Sequence, residues 1–206
     1  MVIEPLTDPT ASGGNPEDAF DVVIPSMPGY GFSGIPDATG WGPERIARAW
    51  GVLMNRLGND PHVAQGGDWG SMIVDFLGIQ SPAGLMAIHT SMAAAVPPDI
   101  DRAAFTGVAP PGLDAEERFA FDHLSDFYKN GLAYAQEMGN RPQTLYGVAD
   151  SPAALAAWII DHDIRSYHLI TRVFDGAEEG LTRDDILDNI TLYWLTNTGI
   201  SSARLY

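Results

Sequence analysis

The glycine-rich segment Gly66-Gly67-Asp68-Trp69-Gly70 is the strongest candidate for chemistry in this sequence. It lies between an apolar run typical of a strand and a longer apolar pattern typical of a helix. A nucleophile at such a strand-to-helix turn needs small neighbours two positions away on either side, so that strand and helix can approach each other. Gly66 and Gly70 meet this requirement.

The residue at the apex of this turn is Asp68, a carboxylate rather than a hydroxyl. A carboxylate is ionised at pH 7 without help from a base, and it can attack an sp³ carbon by displacement. Epoxides and alkyl halides are substrates that suit this reaction. The alternative interpretation is a glycine-rich turn in which Asp68 only caps the following helix, since aspartate is a favoured N-cap residue.

Tyrosine side chains are the second group that could take part. Opening an epoxide leaves an alkoxide, and a neutral phenol can hydrogen-bond the ring oxygen and donate its proton as charge develops. Most buried tyrosines are core residues with a tethered hydroxyl, so the residue type alone does not select the ones involved. Candidates among the seven tyrosines are Tyr134, Tyr146, Tyr167, Tyr193 and Tyr206.

Two further patterns are weaker. Gly29 to Gly34 matches the dinucleotide-binding pattern G-x-G-x-x-G, but Pro36 and Pro43 keep the chain out of the helix which that site requires. The segment from Asp161 to Asp163, with His168 nearby, contains metal-ligand residue types without metal-site spacing, and we interpret it as a solvated helix face. We therefore expect no metal and no cofactor.

The elements that must position these residues alternate in the first half of the chain. Apolar runs predict strands at Ala19–Ile24, Pro61–Gln65 and Leu85–His89. Helical periodicity predicts helices from Pro43 to Gly58 and from Met72 to Ser81. This order is typical of a parallel sheet covered by helices on both faces.

The second half is predicted to be helical after a connector rich in proline and glycine. We place a domain boundary there, with residues 1–95 forming part of an α/β core and residues 96–206 an α-helical lobe. The last of its helices is expected to run towards the C-terminus. The residues that predict the starts of three helices are Asp114 with Glu117, Ser151 with Pro152, and Thr182 with Asp185.

Composition excludes several classes of function. The sequence has no cysteine, so disulfides, thiolate metal sites and cysteine nucleophiles are absent. Its 27 acidic and 11 basic residues give a formal net charge of −16, which disfavours nucleic acid and anionic membranes as partners. Neither a signal peptide nor an apolar run long enough to span a bilayer is evident. We expect a cytoplasmic globular protein, whose oligomeric state the sequence does not indicate.

Several long motifs of this chain resemble those of one enzyme family. They are PSMPGYGFSG, GWGPERIARAWGVLMNRLG, VAQGGDWGS, NRPQTLYGVADSPAALAAWI and NITLYWLTNTGISSARLY. Together they are similar to epoxide hydrolases of the α/β-hydrolase fold, in the branch related to the microsomal enzymes and especially its bacterial members. The resemblance implies an α/β-hydrolase core carrying an α-helical cap, with the N- and C-terminal parts of the fold outside this chain. Three strands would make a poor free-standing parallel sheet, which agrees with a central fragment.

The resemblance also implies roles for individual residues. Asp68 would be the nucleophile that forms a covalent alkyl-enzyme ester, and the Trp69 backbone N–H would supply one oxyanion-hole donor. Tyr134 and Tyr206 would hold and protonate the epoxide oxygen. The substrate would be a small neutral epoxide, converted with water to a vicinal diol.

Two alternatives stay open. A haloalkane dehalogenase-like hydrolase would use the same Asp68 nucleophile with halide as leaving group. A non-catalytic remnant is the other, because the family's second oxyanion-hole loop, its general-base histidine and the acid partner of that histidine are expected beyond the two ends of the chain. For the same reason we expect the chain alone to be inactive in turnover.

Overall fold

The computed structural model describes residues 2–58, 61–93 and 95–206. Its elements are α1 (Ile3–Thr7), α2 (Pro43–Leu57), β1 (His62–Gly66), α3 (Trp69–Gln80), β2 (Leu85–Thr90), α4 (Pro98–Thr106), α5 (Ala115–Asn130), α6 (Ala133–Asn140), α7 (Tyr146–Asp150), α8 (Pro152–Ile160), α9 (Ile164–Phe174), α10 (Arg183–Thr196) and α11 (Gly199–Ser202). Short 3₁₀ turns lie at Pro9–Ser12, Pro16–Asp18, Pro142–Leu145 and Ala203–Leu205. None of the helices in the described residues is long and apolar enough to cross a membrane.

The sheet consists of β1 and β2, which pair in parallel with α3 as the connection between them. The register places Ala64 opposite Ile88 and Gly66 opposite Thr90, with an irregularity after His62. The predicted strands at residues 61–65 and 85–89 and their parallel arrangement are therefore confirmed. β1 ends at Gly66, so the candidate turn lies at the carboxyl end of the strand.

The strand predicted at Ala19–Ile24 is wrong. No strand is assigned to these residues, although the backbone N–H of Phe20 donates to the carbonyl of Leu6 at 2.8 Å. An apolar run can predict an extended segment, but a strand also needs a neighbouring strand for its hydrogen bonds, and the described residues offer none here. The prediction that helices cover both faces of the sheet is also wrong for the described residues, because every residue of β2 after Leu85 is exposed.

The predicted helices follow their local signals closely. Pro43 begins α2 and Gly58, with φ of 74°, ends it. The predicted caps of α5, α8 and α10 all form: the Asp114 and Thr182 side chains make capping boxes, and the Ser151 side chain accepts the N–H of Ala154.

Two helix boundaries differ from the prediction. α3 begins at Trp69 rather than Met72, so the glycine-rich turn leads directly into the helix. α10 does not continue to the C-terminus but ends at Thr196, because Asn197 adopts the left-handed conformation with φ of 53°. The chain then turns into α11, which brings the last residues back towards the first half of the protein.

The buried apolar residues form three clusters. The first joins α2 and α3, the second joins the segments around α7, α8 and α11, and the third joins α9 and α10. Leu205, near the C-terminus, packs against the first cluster, which ties the end of the chain to the region of the sheet. The buried members are Ile46, Ala47, Ile73, Val74 and Leu77 in the first, Leu145, Val148, Leu155 and Ala203 in the second, and Val173, Ile186 and Ile190 in the third.

Candidate active site

Asp68 occupies the turn between β1 and α3 in a strained backbone conformation. Its φ is 49° and its ψ is −127°, a combination that costs a non-glycine residue about 1–3 kcal/mol. The side chain is exposed and makes no capping hydrogen bond to α3. The interpretation of Asp68 as an N-capping side chain is therefore wrong, and its carboxylate is left available for chemistry.

The two glycines that flank the turn are not equivalent. A Cβ built on Gly66 would lie 2.9 Å from the backbone nitrogen of Ser71 and closer still to the carbonyl of Gly70. A Cβ built on Gly70 would meet nothing within 4 Å. The predicted need for a small residue is met at Gly66, whereas no steric need exists at Gly70.

Hydrogen bonds around the turn hold it in place. The Ser71 N–H donates to the carbonyl of Asp68 at 2.9 Å, and the Ser71 hydroxyl donates to the carbonyl of Gly66 at 3.2 Å. The Ser91 N–H, just beyond β2, donates to the same Gly66 carbonyl at 3.1 Å. Trp69 is the first residue of α3, where backbone N–H groups have no partner within the helix.

The structure brings Tyr134 and Tyr206, the two tyrosines that the family resemblance selects, into one cluster beside this turn. The Tyr206 ring meets the Trp69 ring edge to face, with centroids 5.3 Å apart and planes at 87°. The Tyr134 ring meets Tyr206 in the same way, at 5.6 Å and 82°. A row of three aromatic rings therefore runs from the residue after Asp68 to helix α6.

Both phenols are held in the neutral form. Burial raises the pKa of Tyr206, the nearby Tyr134 and Asp68 raise it further, and the side-chain hydrogen bond with Trp69 partly opposes this rise. Burial also raises the pKa of Tyr134; its interaction with the Tyr206 hydroxyl lowers that pKa, and Asp68 again raises it. Phenols with pKa values above the usual 10 are protonated at neutral pH and can therefore donate hydrogen bonds.

A third tyrosine, Tyr30, lies within electrostatic range of the same cluster, and the sequence did not point to it. Burial raises the pKa of Tyr30, and Tyr193, Asp68 and Tyr134 raise it further, so these groups lie within electrostatic range of its hydroxyl. Tyr30 belongs to the Gly29 to Gly34 loop, whose glycine spacing matches the dinucleotide-binding pattern. Its presence in the motif PSMPGYGFSG was the available signal, but nothing in that motif indicates its neighbours.

A direct contact joins the loop of Tyr30 to the segment of Tyr206. The buried Ser201 hydroxyl donates to the Gly29 carbonyl at 2.6 Å. Gly29 has φ of 85°, and a Cβ there would lie 3.1 Å from the Ser201 carbonyl, so the two backbones approach closely. Because Ser201 is only five residues before Tyr206, this contact helps to determine where the Tyr206 phenol lies.

His162 was also missed. Its ring stacks on Tyr134 with centroids 3.9 Å apart and planes at 30°, and its Nδ1 lies 2.9 Å from Oδ2 of Asp163. The interpretation of the Asp161 to Asp163 segment as a helix face is wrong, because it links α8 to α9 and Asp163 caps α9. Across the described ranges, no group of three or more histidine, cysteine, aspartate or glutamate side chains could hold a metal ion.

A cleft of about 630 Å³ adjoins one side of the aromatic row. Tyr206 lines it, together with Trp41 from the first half of the chain and Met138 from α6. Asp68 and Tyr134 are not among its lining residues. The cleft therefore borders Tyr206 and does not include the Asp68 carboxylate.

Sequence comparison gives similarities over almost the entire chain. The profile of the alpha/beta hydrolase fold matches residues 12–137. A protein of Stigmatella aurantiaca that is provisionally named an epoxide hydrolase is 44% identical over 202 residues, which are 98% of this chain and 43% of that protein. The juvenile hormone epoxide hydrolase of Bombyx mori is 32% identical over 91% of this chain and 42% of its own length.

Solved structures show the same relationship. The structure of an Aspergillus niger epoxide hydrolase superposes with a TM-score of 0.72 and 31% identity over 98% of this chain and 49% of that chain. Juvenile hormone epoxide hydrolase from Bombyx mori superposes with a TM-score of 0.64 and 29% identity, over 88% of this chain and 45% of that one. The chain spans less than half the length of each of these relatives.

Proposed function

Because this chain belongs to the α/β-hydrolase fold family, we propose that it is the part of an epoxide hydrolase in which the epoxide ring is opened. The predicted fold class is confirmed as a partial α/β-hydrolase fold with a small parallel sheet and many helices. Relatives named epoxide hydrolases support the reaction. The observation that carries the proposal is the row of Trp69, Tyr206 and Tyr134 beside the uncapped carboxylate of Asp68.

In the first step, a carboxylate oxygen of Asp68 attacks one epoxide carbon and forms an ester bond while the carbon–oxygen bond of the ring breaks. The departing oxygen takes a proton from the phenol of Tyr134 or Tyr206, so the product is a hydroxyalkyl ester and a phenolate. The raised pKa of each phenol supports this role, because the proton is retained until the alkoxide, a much stronger base, develops. Water later returns the proton to the phenolate.

In the second step, water attacks the ester carbonyl of Asp68 and the tetrahedral intermediate carries a negative oxygen. The Trp69 backbone N–H at the start of α3 is suited to stabilise that oxygen, since it has no partner within the helix. Collapse of the intermediate releases a vicinal diol and restores the Asp68 carboxylate. This step needs a general base, and the family resemblance puts that histidine after Tyr206. We therefore propose that this chain alone forms the ester and turns over slowly or not at all.

The alternative of a haloalkane dehalogenase receives less support. Halide departs as a stable anion and needs no proton, so a pair of neutral phenols directed at the leaving group has no use in that reaction. Tyr134 and Tyr206 lie in contact with each other and both interact with Asp68. Two neutral phenols within electrostatic range of the nucleophile favour an oxygen leaving group that must be protonated.

Ester formation in the 206-residue chain tests the proposal, because it needs no general base. The chain is incubated with styrene oxide or with an alkyl bromide, and the covalent adduct is followed by intact-protein mass spectrometry and located by peptide mapping. We expect one equivalent of styrene oxide on Asp68, no adduct with Asp68→Asn, and a slower reaction with the bromide. Asp75→Asn is the matched control, because Asp75 is an exposed carboxylate on α3, the helix that follows Asp68.

Two results would contradict the proposal. One is a folded wild-type chain that forms no adduct with styrene oxide, which would favour the non-catalytic remnant. The other is an adduct that persists unchanged in Asp68→Asn. A bromide reaction faster than the epoxide reaction would favour the dehalogenase instead.

A further inference from the structure

We propose that His162, held by Asp163, is a positioning residue for the Tyr134 phenol in the ring-opening step. The inference rests on the proposed function, because it concerns the same phenol. His162 lies in the link between α8 and α9, while Tyr134 lies in α6, so their contact is tertiary. In this role His162 determines the direction in which the Tyr134 hydroxyl points, and it does not touch the epoxide.

The ring of Tyr134 is confined from two directions. The imidazole of His162 stacks on it at 3.9 Å between centroids and 30° between planes, and the Tyr206 ring meets it at 5.6 Å and 82°. Tyr134 is the second residue of the eight-residue helix α6, whose N-terminus has no side-chain cap. The stacked imidazole is therefore one of the two rings that restrain rotation of the phenol.

His162 is itself anchored through Asp163. Oδ2 of Asp163 lies 2.9 Å from Nδ1 of His162 and accepts the Ser166 hydroxyl at 2.6 Å. Oδ1 accepts the backbone N–H groups of Arg165 and Ser166 at 2.8 and 3.0 Å. The carboxylate is thus fixed at the N-terminus of α9, and the imidazole ring is fixed to it.

The charge state of Asp163 suits an anchor. Burial raises its pKa, but hydrogen bonds from the Ser166 hydroxyl, His162 and the two backbone N–H groups outweigh burial and hold the pKa well below its usual range. An ionised carboxylate only accepts hydrogen bonds, so Nδ1 of His162 must be the donor. This assigns the proton to Nδ1 and sets the orientation of the ring that Tyr134 stacks on.

Positioning of this kind affects the rate of a reaction more than binding. A displacement of a reacting group by about 1 Å can cost as much as 100-fold in rate. Removal of the imidazole leaves one face of Tyr134 open and lets the hydroxyl leave the position from which it donates its proton. Since the epoxide also contacts Asp68 and Tyr206 in the proposed reaction, its binding should change much less.

The first test measures the maximal rate of adduct formation with styrene oxide and the half-saturating concentration. We expect His162→Ala to lower the maximal rate about tenfold and to change half-saturation by less than about twofold. His162→Phe, which keeps a flat ring against Tyr134, should restore most of the rate. His168→Ala is the matched control, because His168 is an exposed histidine on α9 whose ring neighbour is Tyr167 rather than Tyr134.

The second test observes Tyr134 directly and does not depend on catalysis. In nuclear magnetic resonance spectra of the chain labelled in its tyrosine rings, the stacked imidazole should shift the Tyr134 ring protons upfield. His162→Ala should remove this shift and His162→Phe should keep it. If the alanine variant does not fold, His162→Gln replaces it, because glutamine fills part of the volume without a ring.

Each outcome decides one of the two proposals. A wild-type chain without adduct overturns the proposed function, and the Tyr134 resonances still decide whether His162 positions this ring. An adduct that forms at the same rate in His162→Ala overturns the positioning role, as does an unchanged Tyr134 shift. Retention of the Tyr134 shift in His162→Phe without recovery of the rate would also overturn it, since it would mean that the imidazole acts chemically.

Discussion

Substitution of Gly66 by alanine isolates the steric requirement of the turn that carries Asp68. Gly66 has no positive φ, so alanine meets no conformational penalty of its own there. Its Cβ, however, would lie 2.9 Å from the Ser71 nitrogen and closer to the Gly70 carbonyl, whereas Cβ contacts below 3.0 Å are essentially never seen. The obstacle is backbone at the start of α3, which cannot rotate away as a side chain could.

The magnitude follows from the kind of overlap. Overpacking in a well-packed region costs about 1–3 kcal/mol and occasionally more. Because the atoms that must move belong to the backbone of the strained turn, we expect Gly66→Ala to lower the free energy of unfolding by about 2–3 kcal/mol. For a chain of this size, 1 kcal/mol corresponds to about 2–4 °C in Tm, so the expected fall is about 4–12 °C.

Gly70→Ala is the matched control, since a Cβ at Gly70 meets nothing within 4 Å. It lies in the first turn of α3, where alanine is favoured over glycine by up to about 1 kcal/mol. Thermal and urea unfolding, followed by circular dichroism, give the stability of both variants. Their rates of adduct formation with styrene oxide are measured as well. The reasoning is refuted if Gly66→Ala is as stable as the wild type, or if Gly70→Ala is the more damaging of the two.

Two further predictions concern the segments that bring the tyrosines together. Ser201→Ala should lower the free energy of unfolding by about 1–3 kcal/mol, because it leaves the buried Gly29 carbonyl without its donor; urea unfolding measures this, and a change below about 0.5 kcal/mol would contradict it. The lowered pKa of Asp163 should stabilise the protein above its unfolded pKa of about 3.9, with this contribution lost as the pH falls towards the folded value. The unfolding free energies of the wild type and Asp163→Asn, measured against pH, should therefore separate as the pH rises towards about 3.9 and keep a constant difference above it. A constant difference at all acidic pH values would contradict the lowered pKa of Asp163.

Helix boundaries were largely predictable from the sequence, because the interactions that set them are local. Pro43 and Gly58 delimit α2 through their own backbone preferences. The capping boxes begun by Asp114 and Thr182 join residues only three positions apart. Such interactions form wherever the chain is helical, so the residue pattern alone is sufficient to predict them.

Strand pairing was predictable only in part. The apolar runs at β1 and β2 were found because both strands lie in the chain and pair with each other. The run at Ala19–Ile24 is also rich in apolar residues but forms no strand, since a strand exists only through hydrogen bonds to a neighbour. Apolar character indicates that a segment can be buried. Whether the segment becomes a strand depends on a neighbouring strand to which it can hydrogen-bond.

The site shows the same division between local and tertiary information. Residue types indicated that Asp68 could be a nucleophile and that phenols could assist it, and the family resemblance selected Tyr134 and Tyr206. The positive φ of Asp68 and its uncapped side chain are structural findings, because the sequence left the capping alternative open.

The sequence by itself thus determined the chemical types at the site and the turn that presents Asp68. Only the tertiary structure decided that Tyr30 and His162 belong there too, with Tyr30 near Asp68 and His162 stacked on Tyr134. These interactions join residues that are 28 or more positions apart along the chain. Propensity and capping act over about four residues, whereas such interactions depend on how α6, the link before α9 and the loop of Tyr30 pack together.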